Sequence, residues 1–150
     1  MLHVALFEPE IPPNTGNIAR LCAAASCPLH LIGRLGFRID DRALRRAGLD
    51  YWDAVELHRY DTLEDFERSF GGTIYCLSAH AKEPYTSIPL KSGDGLLFGA
   101  ETRGLPPEVL DRYRGKSYTI PMASEKVRSL NLATAAGIVL YEGLRQLQAW

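Results

Sequence analysis

Gly95-Leu96-Leu97-Phe98-Gly99-Ala100-Glu101-Thr102-Arg103-Gly104-Leu105-Pro106 holds the reading that decides the fold. Leu96, Leu97 and Phe98 make a continuous apolar run, the pattern of a strand covered on both faces. Gly99 and Gly104 bracket a polar turn, and Pro106 and Pro107 open a helix expected to reach about Tyr113. A buried strand that feeds a glycine-flanked turn and then a helix is one unit of a parallel α/β sheet. The turn is not Gly-x-Gly-x-x-Gly and no P-loop lysine follows, which disfavours a dinucleotide or ATP phosphate cradle. A tight turn accounts for the glycines but not for Glu101 and Arg103 between them.

Similar units lie on either side. Val4-Ala5-Leu6-Phe7, Leu29–Ile32, Val55–Tyr60, Thr73–Leu77 and Ser117–Ile120 read as strands. Helices are expected over Gly16–Ser26, 40–47, 62–69 and Leu130–Gln148. Pro9, Pro12 and Pro13 predict an extended loop before the first of these, because proline lacks a donor and restricts its predecessor. Ile18, Leu21, Cys22 and Ala25 then form one buried stripe. Thr62 is expected to cap the third helix, with Glu64 and Asp65 in its first turn. The alternation predicts an α/β fold over residues 1–150 as a single domain, a mostly parallel sheet with helices on both faces. Ligands of such sheets gather at the carboxyl ends of strands, so the loops after Phe7, Leu77, Phe98 and Ile120 are where chemistry is expected.

Composition sets the outer bounds. The chain has 150 residues, 46% of them hydrophobic, enough apolar content for a sizeable core. A formal charge of −1 excludes a strongly basic nucleic-acid-coating protein but leaves room for a local basic patch. Arg34, Arg38, Arg42, Arg45 and Arg46 crowd one segment and could equally be a solvated helix face balanced by Asp40 and Asp41. No apolar run approaches the ~18–20 residues of a membrane span. The N-terminus has no basic leader, so a soluble cytoplasmic protein is expected. Cys22, Cys27 and Cys76 are read as core residues, and the scattered His3, His30, His58 and His80 give no metal-ligand spacing.

The last helix carries no charge from Leu130 to Tyr141. A helix apolar on every side is buried on every side, so one face is expected on the sheet and the other on a second copy of the chain. Val139 is placed on that outward face, where Val139→Glu should split or unfold a homodimer.

Three segments carry the polar chemistry. In Asn14-Thr15-Gly16-Asn17-Ile18-Ala19-Arg20, Asn17 and Arg20 share a helix face, and the guanidinium is suited to clamp a phosphate or carboxylate. The plainer alternative is an N-cap by Asn14 and a surface arginine. The second segment is the turn at Glu101. In the third, Arg128-Ser129-Leu130-Asn131-Leu132-Ala133, two polar groups stand at a helix start where one would suffice as a cap. No Ser/His/Asp set or Cys/His pair is read on these loops, the histidines being placed elsewhere, which disfavours nucleophilic hydrolysis.

In this order the segments resemble the three motifs of the SPOUT RNA methyltransferases. Glu8-Pro9-Glu10-Ile11-Pro12-Pro13-Asn14-Thr15-Gly16-Asn17-Ile18 with Arg20-Leu21-Cys22, Leu44-Arg45-Arg46-Ala47-Gly48-Leu49-Asp50-Tyr51, and Phe98-Gly99 with Glu101 to Pro106 are similar, more closely, to the tRNA (cytidine/uridine-34) 2′-O-methyltransferase family. The resemblance spans essentially the whole chain. It implies a C-terminal trefoil knot, a homodimer, and S-adenosylmethionine without a metal. It implies methylation of the wobble ribose of tRNA, leucine tRNAs among them. The methyl donor would contact Leu77, Gly99, Ile120 and Ser129, largely through backbone. Arg20 corresponds to the catalytic arginine, with Asn14, Glu101, Ser129 and Asn131 as its polar companions. Arg45, Arg46 and Tyr141 become tRNA contacts. The 123–127 loop departs from the serine- or proline-rich form expected of the family. The alternatives are a ribose methyltransferase aimed at another tRNA or rRNA position, and a catalytically inactive RNA-binding dimer.

Overall fold

Side-chain alternation along each strand divides the apolar residues between two layers. In the computed structural model, which describes residues 1–149, the first strand, β1 (His3–Phe7), sends Val4 and Leu6 to one layer and Ala5 and Phe7 to the other. In β2 (Leu29–Ile32), Leu29 and Leu31 join the first layer and Ile32 the second. In β4 (Ile74–Leu77), Tyr75 and Leu77 oppose Ile74 and Cys76, and in β6 (Gly95–Phe98), Leu96 and Phe98 oppose Leu97. Strands covered on both faces read as largely apolar runs, interrupted here in β2 by His30, which is why all four were legible in the sequence.

Between and after them come α1 (Pro12–Ala25), α2 (Arg42–Gly48), β3 (Leu57–Tyr60), α3 (Leu63–Ser69), β5 (Glu83–Pro84), α4 (Pro107–Arg112), β7 (Ser117–Thr119) and α5 (Leu132–Gln146). The sheet order is β3-β2-β1-β6-β4-β7-β5, and every strand pairing among the described residues is parallel. Register aligns Val4 with Leu29 and Leu96, and Leu77 with both Phe98 and Tyr118. The carboxyl ends of β4, β6 and β7 therefore finish level with one another. Helix α1 covers the first layer together with α2 and α5, while Leu63 and Phe66 of α3 and Val109 of α4 close the second. The three cysteines lie buried in these layers as expected, and burial pushes the Cys76 thiol up to about 12.

Four expectations are corrected. Helix α1 begins at Pro12, not near Gly16, and Asn14 lies inside it instead of capping it; the cap position is Ile11. Two prolines at the first helical positions have their φ already set and leave no amide unpaired, so they start a helix rather than extend the loop. The strand at 55–60 is shorter and starts at Leu57. The strand β5 and the two 3-10 turns, Leu49–Ala54 and Tyr85–Ser87, lacked an apolar period to announce them. Finally, α5 starts at Leu132 rather than Leu130, and its Val139 is not on an outward face. It buries Leu132, Ala136, Val139, Leu140, Gly143 and Leu144, while Thr134 and Tyr141 are exposed. Val139 is 1% exposed and faces the core, so it does not belong to an outward face. As read, Thr62 caps α3, its hydroxyl accepting from the Asp65 amide at 3.1 Å.

Candidate active site

The entry to α1 lacks an ordinary side-chain cap, and its amides are satisfied from elsewhere in the sequence. Glu101, in the turn after β6, accepts the Glu10 amide at 2.7 Å and the Ile11 amide at 2.9 Å. A carboxylate at a helix N-terminus is also favoured by the helix dipole. The exchange is reciprocal: Glu10 accepts both the amide and the hydroxyl of Thr102, at 2.9 and 2.7 Å. Those two donors hold the Glu10 carboxyl below its ordinary value. Arg103 lies 3.9 Å from both Glu8 and Glu10. The loops after β1 and β6 are thus strapped together twice.

The strap extends to the third segment. Asn14 donates Nδ2 to Glu101 at 3.2 Å, and its Oδ1 accepts from Asn131 Nδ2 at 3.0 Å. Asn131 Oδ1 in turn accepts the Thr134 amide at 3.1 Å and caps α5. An ionised carboxylate only accepts and a backbone amide only donates, so the orientation of both side-chain amides is fixed from the two ends. Asn131 therefore serves as cap and as network member at once, and Ser129, the second polar group at that helix start, lies on the wall of the adjacent cavity. Asn14 is 7% exposed, a polar group whose burial is compensated by these bonds.

Beside this chain of bonds a cavity of about 320 Å³ opens at the ends of β4, β6 and β7. Its wall includes Leu77, Gly99, Ile120 and Ser129, the four residues expected to hold a methyl donor, and also Glu101. Gly99 is required for close approach: a Cβ there would overlap the Gly104 carbonyl carbon and the Leu105 nitrogen, so the floor stays bare backbone. Leu132 and Ala135 add apolar surface, and Arg103 and Arg128 add positive charge. Arg128 forms no ion pair among the described residues. An apolar cleft with exposed backbone, hydroxyls and a cation suits a ligand of nucleoside size that carries a carboxylate.

Two placements differ from the sequence reading. His80 lines the cavity, three residues beyond the end of β4, although no histidine was expected on these loops. Its position in the loop that follows Leu77 was the available signal. Arg20 is exposed on α1, 5.1 Å from the centroid of Tyr51, and does not line the cavity of its own chain. Arg45 and Arg46 are exposed on α2, with the Arg45 guanidinium 5.2 Å above Trp52, and Tyr141 is exposed on α5.

The remaining histidines meet at the opposite end of the strands. His3 and His30 bond ring to ring at 2.9 Å, His30 bonds the Tyr60 hydroxyl at 3.0 Å, and His58 stacks on His30. Parallel register, which places His30 opposite His58, brings together residues that sequence spacing had left scattered. Burial, with His3 and His58 nearby, brings His30 down to about 3. The described residues contain no cluster suited to a metal ion, and no helix long and apolar enough to cross a membrane.

Residues 1–141 match the SpoU rRNA Methylase family model. A tRNA (cytidine(34)-2′-O)-methyltransferase of Yersinia pestis is 45% identical over 98% of this chain and 94% of its own length. A structure described as giving insight into 2-OH methylation of C/U34 on tRNA is 46% identical, covering 100% of this chain and 98% of that one, with a TM-score of 0.95. An AdoMet-bound rRNA methyltransferase from Sinorhizobium meliloti is 34% identical, covering 97% of this chain and 56% of that one, with a TM-score of 0.86.

Proposed function

The chain belongs to the SpoU rRNA methylase family, and from that membership we propose that it methylates the 2′-oxygen of the wobble nucleotide of tRNA, a cytidine or modified uridine at position 34, using S-adenosylmethionine. The observation that carries this reading is the bonded chain Glu101–Asn14–Asn131, which joins all three motif segments beside the cavity. The relative and the structure that match along nearly their whole length, at 45% and 46% identity, are both described by that reaction, which supports the choice of position 34. The reading treats residues 1–150 as one domain, cytoplasmic, with leucine tRNAs among the substrates. It includes a C-terminal trefoil knot; the meeting of the loops after β4 and β7 at the cavity is the supporting placement.

The cavity fits the methyl donor. Leu77, Gly99, Ile120 and Ser129 would hold it, and Arg128 or Arg103 would face its carboxylate. When bound, S-adenosylmethionine supplies an electrophilic methyl group on a sulfonium sulfur. The work left to the protein is alignment and control of charge. The Glu101–Asn14–Asn131 chain fixes the three loops relative to one another, so that acceptor and donor meet at a set angle. Arg20 acts at the ribose. A guanidinium, with a pKa above ~12, is a poor base, but its fixed charge stabilises the negative charge that develops on the 2′-oxygen as the hydroxyl proton passes to water. Arg45, Arg46 and Tyr141 would contact the tRNA; these exposed arginines provide local positive charge on a chain whose net charge is −1.

A homodimer belongs to the same reading. Ile138 is half-buried yet joins neither apolar cluster, and it shares the outer side of α5 with exposed Thr134 and Tyr141. A second copy seated on Thr134 and Ile138, with Tyr141 left open at the rim, would bring its Arg20 and tRNA contacts to the assembly. The direct test is incubation with labelled methyl donor and total tRNA, followed by mapping of the modified nucleotide. Label at the position-34 ribose is expected. Label at another tRNA or an rRNA position would redirect the reading to a different target, and no label would leave an RNA-binding dimer.

A further inference from the structure

Tyr51 stands out among the exposed aromatic groups because of what surrounds it. It lies in the 3-10 turn Leu49–Ala54, which packs on α1, and its ring remains 46% exposed with the Arg20 guanidinium 5.1 Å from its centroid. Next to it Trp52 is buried, with the Arg45 guanidinium over it at 5.2 Å. Arg42, Arg45 and Arg46 are exposed and make no ion pair among the described residues. A solvated face of arginines normally meets neighbouring carboxylates, as Arg38 meets Asp40 at 3.2 Å here. Exposed guanidiniums on α2, without an ion pair among the described residues, and a half-exposed ring on the turn that follows it offer instead the elements that bind single-stranded RNA: cations for the backbone and an aromatic face for a base.

We propose that Tyr51 is the stacking platform for a base of the substrate's single-stranded anticodon loop, the base of the methylated nucleotide. The inference rests on the reading of Arg20 as the group at the ribose. A base is bonded directly to its ribose, so the aromatic ring in contact with Arg20 is the one that the base reaches. Stacking is tolerant of base identity because every base has a π-face, which suits a site that accepts either cytidine or uridine. Tyr51 thereby holds the nucleotide, and Arg20 is left free to act on the oxygen.

The test uses the full chain and an anticodon stem-loop RNA with the fluorescent base pyrrolocytidine at the wobble position, without methyl donor. Wild-type protein should quench the base on binding. Tyr51→Phe should keep both the quench and the affinity. Tyr51→Ala should abolish the quench and raise the RNA dissociation constant about ten-fold. In assays with donor and unlabelled stem-loop, Tyr51→Ala should raise KM for RNA while kcat at saturating RNA changes little. If Tyr51→Ala lowers kcat and leaves RNA affinity and quench intact, the ring only positions Arg20 and the stacking role is overturned. A poorly folded Tyr51→Ala is replaced by Tyr51→Leu, which keeps apolar bulk without a π-face and should show the same loss of quench. Wild-type protein that methylates the stem-loop but never quenches the base defeats the stacking role alone. Wild-type protein that neither binds nor methylates it defeats the functional reading as well.

Discussion

Glu101 holds the start of α1 with a carboxylate that accepts two backbone amides and the Asn14 side chain. Glu101→Gln keeps the shape but replaces one accepting oxygen by a donor facing donors. It should cost about 2 kcal/mol in chemical denaturation, and methyl transfer should fall further than stability because the loops lose their set spacing. Arg20 presents the opposite case. Its contact within the chain is an exposed cation–π pair with Tyr51, worth about 0.5–1 kcal/mol. Arg20→Ala should therefore leave melting temperature and calorimetric donor affinity nearly unchanged while tRNA methylation drops by orders of magnitude, and Arg20→Lys should not restore it fully. Near wild-type turnover in Arg20→Ala would remove Arg20 from the reaction. His30 yields a prediction in pH. Its folded value, about 3, lies below the unfolded value because of burial and its neighbours His3 and His58, with Glu56 opposing. The unfolded chain then binds the extra proton at acid pH. This stability is full above the unfolded value of ~6.5 and is lost as pH falls from there toward 3, by about 2 kcal/mol at pH 5. Urea midpoints measured from pH 7.5 to 5 should decline, and His30→Asn should flatten the slope.

At the scale of elements, α5 shows how an uncharged helix divides its faces. Val139 and Leu140 reach the sheet layer beside Leu2, Val4 and Leu96, whereas Ile138 does not join that cluster. A glutamate at position 139 would sit unpaired in the core, so Val139→Glu should abolish cooperative unfolding rather than separate folded subunits. Circular dichroism and a thermal melt decide this; a folded Val139→Glu protein would mean that α5 is seated differently. The same distinction explains the prolines before α1. Their effect depends on whether following residues can continue a helix, and Asn14 to Ala19 can once Glu101 satisfies the amides upstream.

At the scale of the whole molecule, the sheet order puts the loops after β1, β4, β6 and β7 at one end and the histidine cluster at the other. The outer side of α5 lies apart from both apolar layers. Ile138→Glu changes a residue outside the two clusters. It should leave helix content and donor binding intact while sedimentation shifts from dimer to monomer, if a second copy covers that face. A wild-type chain that sediments as a monomer at micromolar concentration would remove the dimer from the proposal.

The strands β1, β2, β4 and β6 and their parallel arrangement were determined by the sequence alone, because strands buried on both faces are mostly apolar: residues 4–7, Ile74–Leu77 and Gly95–Phe98 are unbroken runs and β2 is interrupted only by His30. The four cavity residues Leu77, Gly99, Ile120 and Ser129 were placed by the family resemblance, and the expectation that the loops after these strands converge came from sheet geometry. Tertiary structure decided the rest. It showed that Glu101 caps a helix some ninety residues earlier in the chain, that His3, His30 and His58 share one cluster, and that Val139 points inward. Each of these is a contact between residues distant in sequence, or a choice between two faces of a uniformly apolar helix. Periodicity and spacing carry no information about either, since the partner is supplied only when the sheet brings it into register.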